Sequence, residues 1–145
     1  MEIYTIGFTK KSAEEFFESL KASGIKLLID IRLNNVSQLA GFAKRDDLKY
    51  FLKIICRAKY IHEPLLAPTD EILEAYRSKK ITWEEYEKQF LNLLEERAVE
   101  KKIKKSMFNK RAVLLCSEHE PEHCHRRLVA EYFSRKWGNI KIIHL

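Results

Sequence analysis

The chain has 145 residues, of which 46% are hydrophobic and 33% charged, so it is expected to form one folded domain over residues 1–145 rather than a disordered chain. Its net charge of +6 permits an anionic partner without requiring one. Three cysteines are an odd number, and no long apolar run is present, so we expect no disulfide framework, no signal peptide and no membrane contact. The expected location is the cytoplasm, with reduced thiols, and the oligomeric state stays open.

Short apolar runs alternate with amphipathic stretches from one end of the chain to the other. The apolar runs predict strands at residues 2–7, 25–31, 59–62, 112–116 and 140–145. Capping-box patterns, SAEE from Ser12 and TWEE from Thr82, predict the starts of two helices. Three further helices are predicted. One begins at Asp46 or Asp47, a second begins at Thr69 or Asp70, and a third spans residues 122–137.

This alternation of strands and helices predicts an α/β fold in three layers. A mostly parallel sheet of about five strands would lie between helices on both faces. Ligands of such sheets bind beyond the carboxyl ends of the strands. We therefore expect the polar residues that follow the strands, such as Arg32, His62 and Ser117, to gather at one edge.

The stretch LLCSEHEPEHCHRRL, residues 114–128, holds two of the three cysteines and three of the five histidines. The spacing of these potential ligands matches no common zinc motif. His123, Cys124 and His125 are adjacent, so they cannot all turn toward one ion from the start of a helix. The sequence therefore predicts no bound metal and no cofactor.

The same stretch also suggests a reactive thiol. Cys124 falls at the predicted start of the last long helix, after Pro121, where the helix N-terminus and nearby basic residues favour a thiolate. Cys116 closes an apolar strand, where it either fills space in the core or comes close enough to act as a resolving cysteine. Cys56 is predicted to lie in the core. The catalytic candidates are Cys124, His125 and Cys116.

A third interpretation of this stretch is an anion site. The loop after residue 116 leads into a helix start, whose free N–H groups favour phosphate or carboxylate, and arginines add a bidentate grip. We therefore expect a small anionic ligand, such as a phosphate compound, although no glycine-rich phosphate loop occurs. In the other interpretation the acidic and basic residues only pair with one another. The ligand-binding candidates are Asp30, Arg32, Ser117, Glu118 and Arg126.

Basic residues elsewhere give an alternative function, a nucleic-acid-binding module. One group falls at helical spacing, and residues 101–111 contain six basic residues and no acidic one. Tyr50, Tyr60 or Phe108 could stack on bases. These residues also suit a solvated helix face, and a protein-interaction domain is a third class of function. The basic candidates are Lys49, Lys53, Arg57, Lys101, Lys102, Lys104 and Lys105.

The chain resembles the domain-of-unknown-function family 488. The motifs are YTIG at residues 4–7, DIR at 30–32, LCSE at 115–118, PEHCHR at 121–126 and IIHL at 142–145. The resemblance implies a single α/β domain with a parallel sheet, and it brings no activity. Many members carry His then Ser where this chain has Phe8 and Thr9, so any chemistry of that histidine is absent here. The implied shared site consists of Asp30, Arg32, Cys116, Glu118, Cys124, His125 and Arg126.

Overall fold

Five parallel strands form one sheet in the order β3-β2-β4-β1-β5. The structure is a computed structural model and describes residues 1–35, 41–118 and 121–145. Every residue of β2 and β4 is buried, as expected of strands covered on both faces. The prediction of an α/β fold with a parallel sheet is thus confirmed. The strands are β1 (Glu2–Gly7), β2 (Leu27–Asp30), β3 (Lys59–His62), β4 (Ala112–Cys116) and β5 (Lys141–His144).

The helices begin largely where side-chain caps predict them. Ser12 forms a complete capping box with Glu15, and Thr69 and Thr82 each accept a hydrogen bond from a backbone N–H of the first turn. Among the described residues, no helix is both long enough and apolar enough to cross a membrane. The helices are α1 (Ala13–Ala22), α2 (Arg45–Phe51), α3 (Asp70–Arg77), α4 (Trp83–Arg97), α5 (Val99–Lys102) and α6 (His125–Trp137), with a π-helical turn at Leu52–Cys56 and 3-10 turns at Gly41–Ala43, Pro64–Leu66 and Lys105–Lys110.

Two helix starts differ from the sequence prediction. Lys44 is the N-cap residue of α2, so Asp46 and Asp47 do not cap it but lie in its first turn, where acidic side chains suit the helix dipole. The last helix begins at residue 125 rather than 122. The reason is a turn closed by the N–H of Cys124, which donates to the Pro121 carbonyl at 3.2 Å, so Cys124 becomes an extended N-cap residue.

Helices cover both faces of the sheet. Side chains alternate along a strand, so neighbouring residues pack into different cores. On one face, Leu114 packs with residues of α3, α4 and α6; on the other, Val113 packs with residues of α1 and α2. The predicted three-layer arrangement is confirmed.

The strand order creates a crevice at the carboxyl ends of β2 and β4. From β2 the chain continues to α2 on one face, and from β4 it continues to α6 on the other face. Adjacent strands whose connections diverge in this way leave room for a ligand between them. Arg32 emerges on one side of this crevice and Ser117 on the other.

Candidate functional site

A cleft of about 580 Å³ occupies this crevice. Its base holds Cys116, Cys124 and His125, which we call the Cys/His cluster. Arg32 contributes from the end of β2, and residues of α3 and of the start of α4 form the opposite side. The three residues predicted to be catalytic therefore lie together and face one opening.

The Cys/His cluster is compact and buried. The sulfur atoms of Cys116 and Cys124 are paired as a disulfide, and their Cα atoms are 7.1 Å apart. His125 places Nδ1 3.2 Å from the Cys116 sulfur and Nε2 2.7 Å from the Ile31 carbonyl oxygen. This pairing differs from the expected reduced thiols, and it agrees with the alternative that Cys116 comes close enough to Cys124 to act as a resolving cysteine. Of the adjacent His123, Cys124 and His125, only the last two turn toward Cys116.

The hydrogen bond to Ile31 determines the tautomer of His125. A backbone carbonyl only accepts, so Nε2 carries the hydrogen, and the lone pair of Nδ1 points to the sulfur atoms. Burial lowers the pKa of His125 to about 4, and the nearby Arg126 cation acts in the same direction. The imidazole is therefore neutral at pH 7.

We expect His125 to make the protein sensitive to acid. An unfolded histidine has a pKa of about 6.5, so below that value the unfolded chain binds a proton that the folded protein rejects until about pH 4. The free energy of unfolding should fall by about 3 kcal/mol from this group between pH 7 and pH 4. Urea unfolding of the wild type and the His125→Gln variant at both pH values measures the difference. Equal acid losses in the two proteins would contradict this assignment.

Asp30 holds Arg32 in place. Nε and Nη2 of Arg32 each donate to the Asp30 carboxylate at 2.8 Å, and the Tyr60 hydroxyl donates to the same carboxylate at 2.6 Å. Both members of the ion pair are buried, and Arg32 also lies over the ring of Phe8, 5.3 Å from its centroid. Phe8 thus packs against the arginine and supports it. Asp30, named from the sequence as a ligand-binding candidate, therefore orients Arg32.

Arg126, in contrast, is not brought to the cleft. It is fully buried on the far side of β4, where Nη1 donates to the Glu118 backbone carbonyl and Nε donates to the Thr5 hydroxyl at 3.3 Å. Of the two arginines named as ligand-binding candidates, the structure therefore brings only Arg32 to the cleft, because β4 lies between β1 and β2. Glu118 lines the cleft but binds Arg126 through its backbone, not its carboxylate.

Sequence reasoning missed an aromatic side of the cleft. The Trp83 ring stacks between His123, at 4.9 Å between centroids, and Tyr86, at 5.0 Å, while Tyr76 contacts Trp83 edge-on. Aromatic residues at helical spacing usually face a core, so their pattern contained no signal of a site. Asn34, Arg45 and Arg77 at the rim were missed too. His119 lies outside the described residues.

The basic residues proposed for nucleic-acid binding are exposed but lie away from the cleft. Arg57 and residues 101–105 precede β3 and β4, at the opposite ends of the strands. The regular helical spacing predicted for the first group is interrupted by the π-helical turn, which Arg57 ends with a φ of 52°. Phe108 is buried, and the Tyr60 hydroxyl donates a hydrogen bond to Asp30. Of the three aromatic candidates, only Tyr50 is therefore exposed for stacking on bases. Nucleic-acid binding stays a prediction.

Comparison with known proteins gives one match. The family model described as domain of unknown function DUF488 matches residues 12–133, a range that includes the Cys/His cluster and the Asp30–Arg32 pair. No curated protein and no solved structure matches the chain.

Proposed function

Because the chain belongs to the DUF488 family, which brings no activity with it, we propose a function from the site itself. The protein is an enzyme-like domain that binds a small anionic ligand, with a phosphate or carboxylate group, above the Cys/His cluster. One observation carries this proposal: a single cleft at the carboxyl ends of the strands is lined by both the cluster and Arg32.

The charges around the cleft support an anion. Arg32, Arg45 and Arg77 line it, against the two carboxylates of Asp70 and Glu118. Arg32 is rigid because Asp30 holds two of its nitrogen atoms, and Nη1 is not part of that pair. A guanidinium that is already oriented loses little conformational entropy when it binds a ligand.

The Cys/His cluster supplies the reactive groups. Cys124 is the N-cap residue of α6, where the positive end of the helix dipole favours a thiolate. In the reduced protein, the neutral His125 offers Nδ1 as an acceptor for the Cys116 thiol proton. A ligand held by Arg32 therefore lies beside sulfur and imidazole groups, which are nucleophiles and proton carriers.

Thermal-shift measurements with phosphate, nucleotides, phosphorylated metabolites and carboxylates test ligand binding on the reduced protein. We expect at least one of these compounds to raise the Tm of the wild type. The Arg77→Ala variant should bind that compound several-fold more weakly, whereas Arg135→Ala, which removes an exposed arginine on α6 away from the cleft, should match the wild type.

Two further variants test the base of the cleft. Arg32→Lys keeps a positive charge beside Asp30 but loses the planar fork, so binding should weaken about tenfold or more. Cys124→Ser removes one sulfur from the cluster. If both variants fold and respond to the whole panel as the wild type does, the proposed site is wrong.

A further inference from the structure

Three soft donor atoms meet at the base of the cleft. The sulfur atoms of Cys116 and Cys124 and Nδ1 of His125 all lie within 4.8 Å of one another, and all three residues are buried. No other set of three or more His, Cys, Asp or Glu residues within the described ranges 1–35, 41–118 and 121–145 converges in this way.

His125 is oriented as a metal ligand would be. Its Nε2 hydrogen is bound to the Ile31 carbonyl, which leaves the Nδ1 lone pair directed at the sulfur atoms. Histidines that bind metals usually donate their other ring N–H to a carbonyl or carboxylate, which fixes the tautomer. The ligand atom and its supporting partner are therefore both in place.

The backbone at the two cysteines suits a shared ion better than a covalent bond. Their Cα atoms are 7.1 Å apart, whereas disulfides usually hold Cα atoms about 4.4–6.8 Å apart. Zinc binds each sulfur at about 2.3 Å in a tetrahedron, which places the sulfur atoms about 3.8 Å from one another. An ion can therefore bridge this Cα separation without movement of the backbone.

We propose that Cys116, Cys124 and His125 bind one zinc ion whose fourth coordination position opens into the cleft. The spacing of these residues in the sequence predicted no metal, and the geometry leads to the opposite inference. Binding converts two thiols into two thiolates and releases two protons, so the thiolate charges offset the 2+ charge of the ion. Thiolate and imidazole ligands favour zinc over magnesium or calcium.

The open coordination position connects the zinc site to the function proposed above. The three protein ligands are inferred from geometry alone, and only the identity of the fourth ligand rests on the proposed function. Three protein ligands and one exchangeable position are typical of catalytic rather than structural zinc. All three ligands line the cleft, so the fourth position is available to water or to the anionic group of a ligand.

Cobalt substitution tests the site directly. The protein is purified anaerobically with a reductant, stripped with a chelator and titrated with Co²⁺. We expect one equivalent to bind, with thiolate-to-cobalt charge-transfer absorption that zinc removes. Loss of a residue that only hydrogen-bonds to a metal ligand lowers metal affinity roughly 10–100-fold. Cys116→Ser and Cys124→Ser each remove a ligand itself, so each should weaken Co²⁺ binding by more than that. Cys56→Ser is the matched control, because Cys56 is buried elsewhere and its thiol contacts the Phe17 carbonyl.

Alkylation followed by mass spectrometry gives a second measurement on the wild type, which needs no variant to fold. Zinc should protect Cys116 and Cys124 from alkylation, and removal of the zinc by the chelator should restore alkylation of both residues. A fully reduced wild type that binds no Co²⁺, or serine variants that bind it as tightly as the wild type, would overturn the proposal. So would a Cys116–Cys124 disulfide that persists through anaerobic purification with reductant.

The anion panel, repeated on stripped and zinc-loaded protein, separates this inference from the proposed function. Anion-induced stabilisation without cobalt binding would reject the zinc site and leave the proposed function standing. Cobalt binding without any response to anions would support the zinc site and reject the proposed function.

Discussion

Replacing Asp30 with asparagine is expected to lower the free energy of unfolding by about 3–5 kcal/mol. The Asp30 carboxylate is fully buried and is the ion-pair partner of Arg32, which is also buried. Asn has nearly the same shape but no charge, so the guanidinium would remain in the interior without a counter-charge. Urea unfolding of the wild type and the Asp30→Asn variant at pH 7 measures the loss.

Asp46→Asn is the matched control. Asp46 also pairs with an arginine, Arg45, at 3.1 Å, but the side chains are 84% and 51% exposed. Exposed ion pairs contribute less than about 1 kcal/mol, so this variant should be nearly as stable as the wild type. If the two substitutions lowered the free energy of unfolding by similar amounts, burial of the Asp30–Arg32 pair would not determine its contribution to stability.

A methyl group at Gly7 is expected to destabilise the protein by more than about 3 kcal/mol, beyond the usual cost of overpacking. A Cβ atom there would lie 1.6 Å from the Glu118 backbone oxygen and 2.7 Å from Nη1 of Arg126. The backbone oxygen cannot move away without breaking its bond with Arg126, whose charge is fully buried. Equilibrium unfolding of the Gly7→Ala variant provides the measurement.

Gly41→Ala provides the comparison, since a Cβ atom at Gly41 would meet no atom within 4 Å. Its stability should stay within about 0.5 kcal/mol of the wild type, as for most surface substitutions. If Gly7→Ala were equally harmless, the close approach of the Glu118 backbone to β1 would not be essential to the fold.

The two arginines near the cluster therefore have different roles. Arg32 is held by Asp30 on the side of β2 and lines the cleft. Arg126 lies toward β1 and ties the Glu118 backbone to the sheet beside Gly7. We expect substitutions of Arg32 to change ligand binding, and those of Arg126 to act mainly on stability.

The sequence by itself determined the strands, three helix starts and the edge of the sheet at which the candidate site lies. Apolar runs predicted all five strands, and the side chains of Ser12, Thr69 and Thr82 predicted three helix starts, because periodicity and capping act within a few residues. The alternation of strands and helices then predicted a parallel sheet, whose strands all end on the same side. Arg32 and Cys116 were therefore expected at the carboxyl ends of the strands.

Only the tertiary structure decided which side chains meet there. The strand order puts β4 between β1 and β2, which separates Arg126 from Arg32. A turn at Pro121 delays the start of α6, so that Cys124 and His125 both face Cys116. The Ile31 carbonyl, 94 residues before His125 in the chain, sets its tautomer. These outcomes depend on packing between distant segments, and no local pattern of residues specifies them.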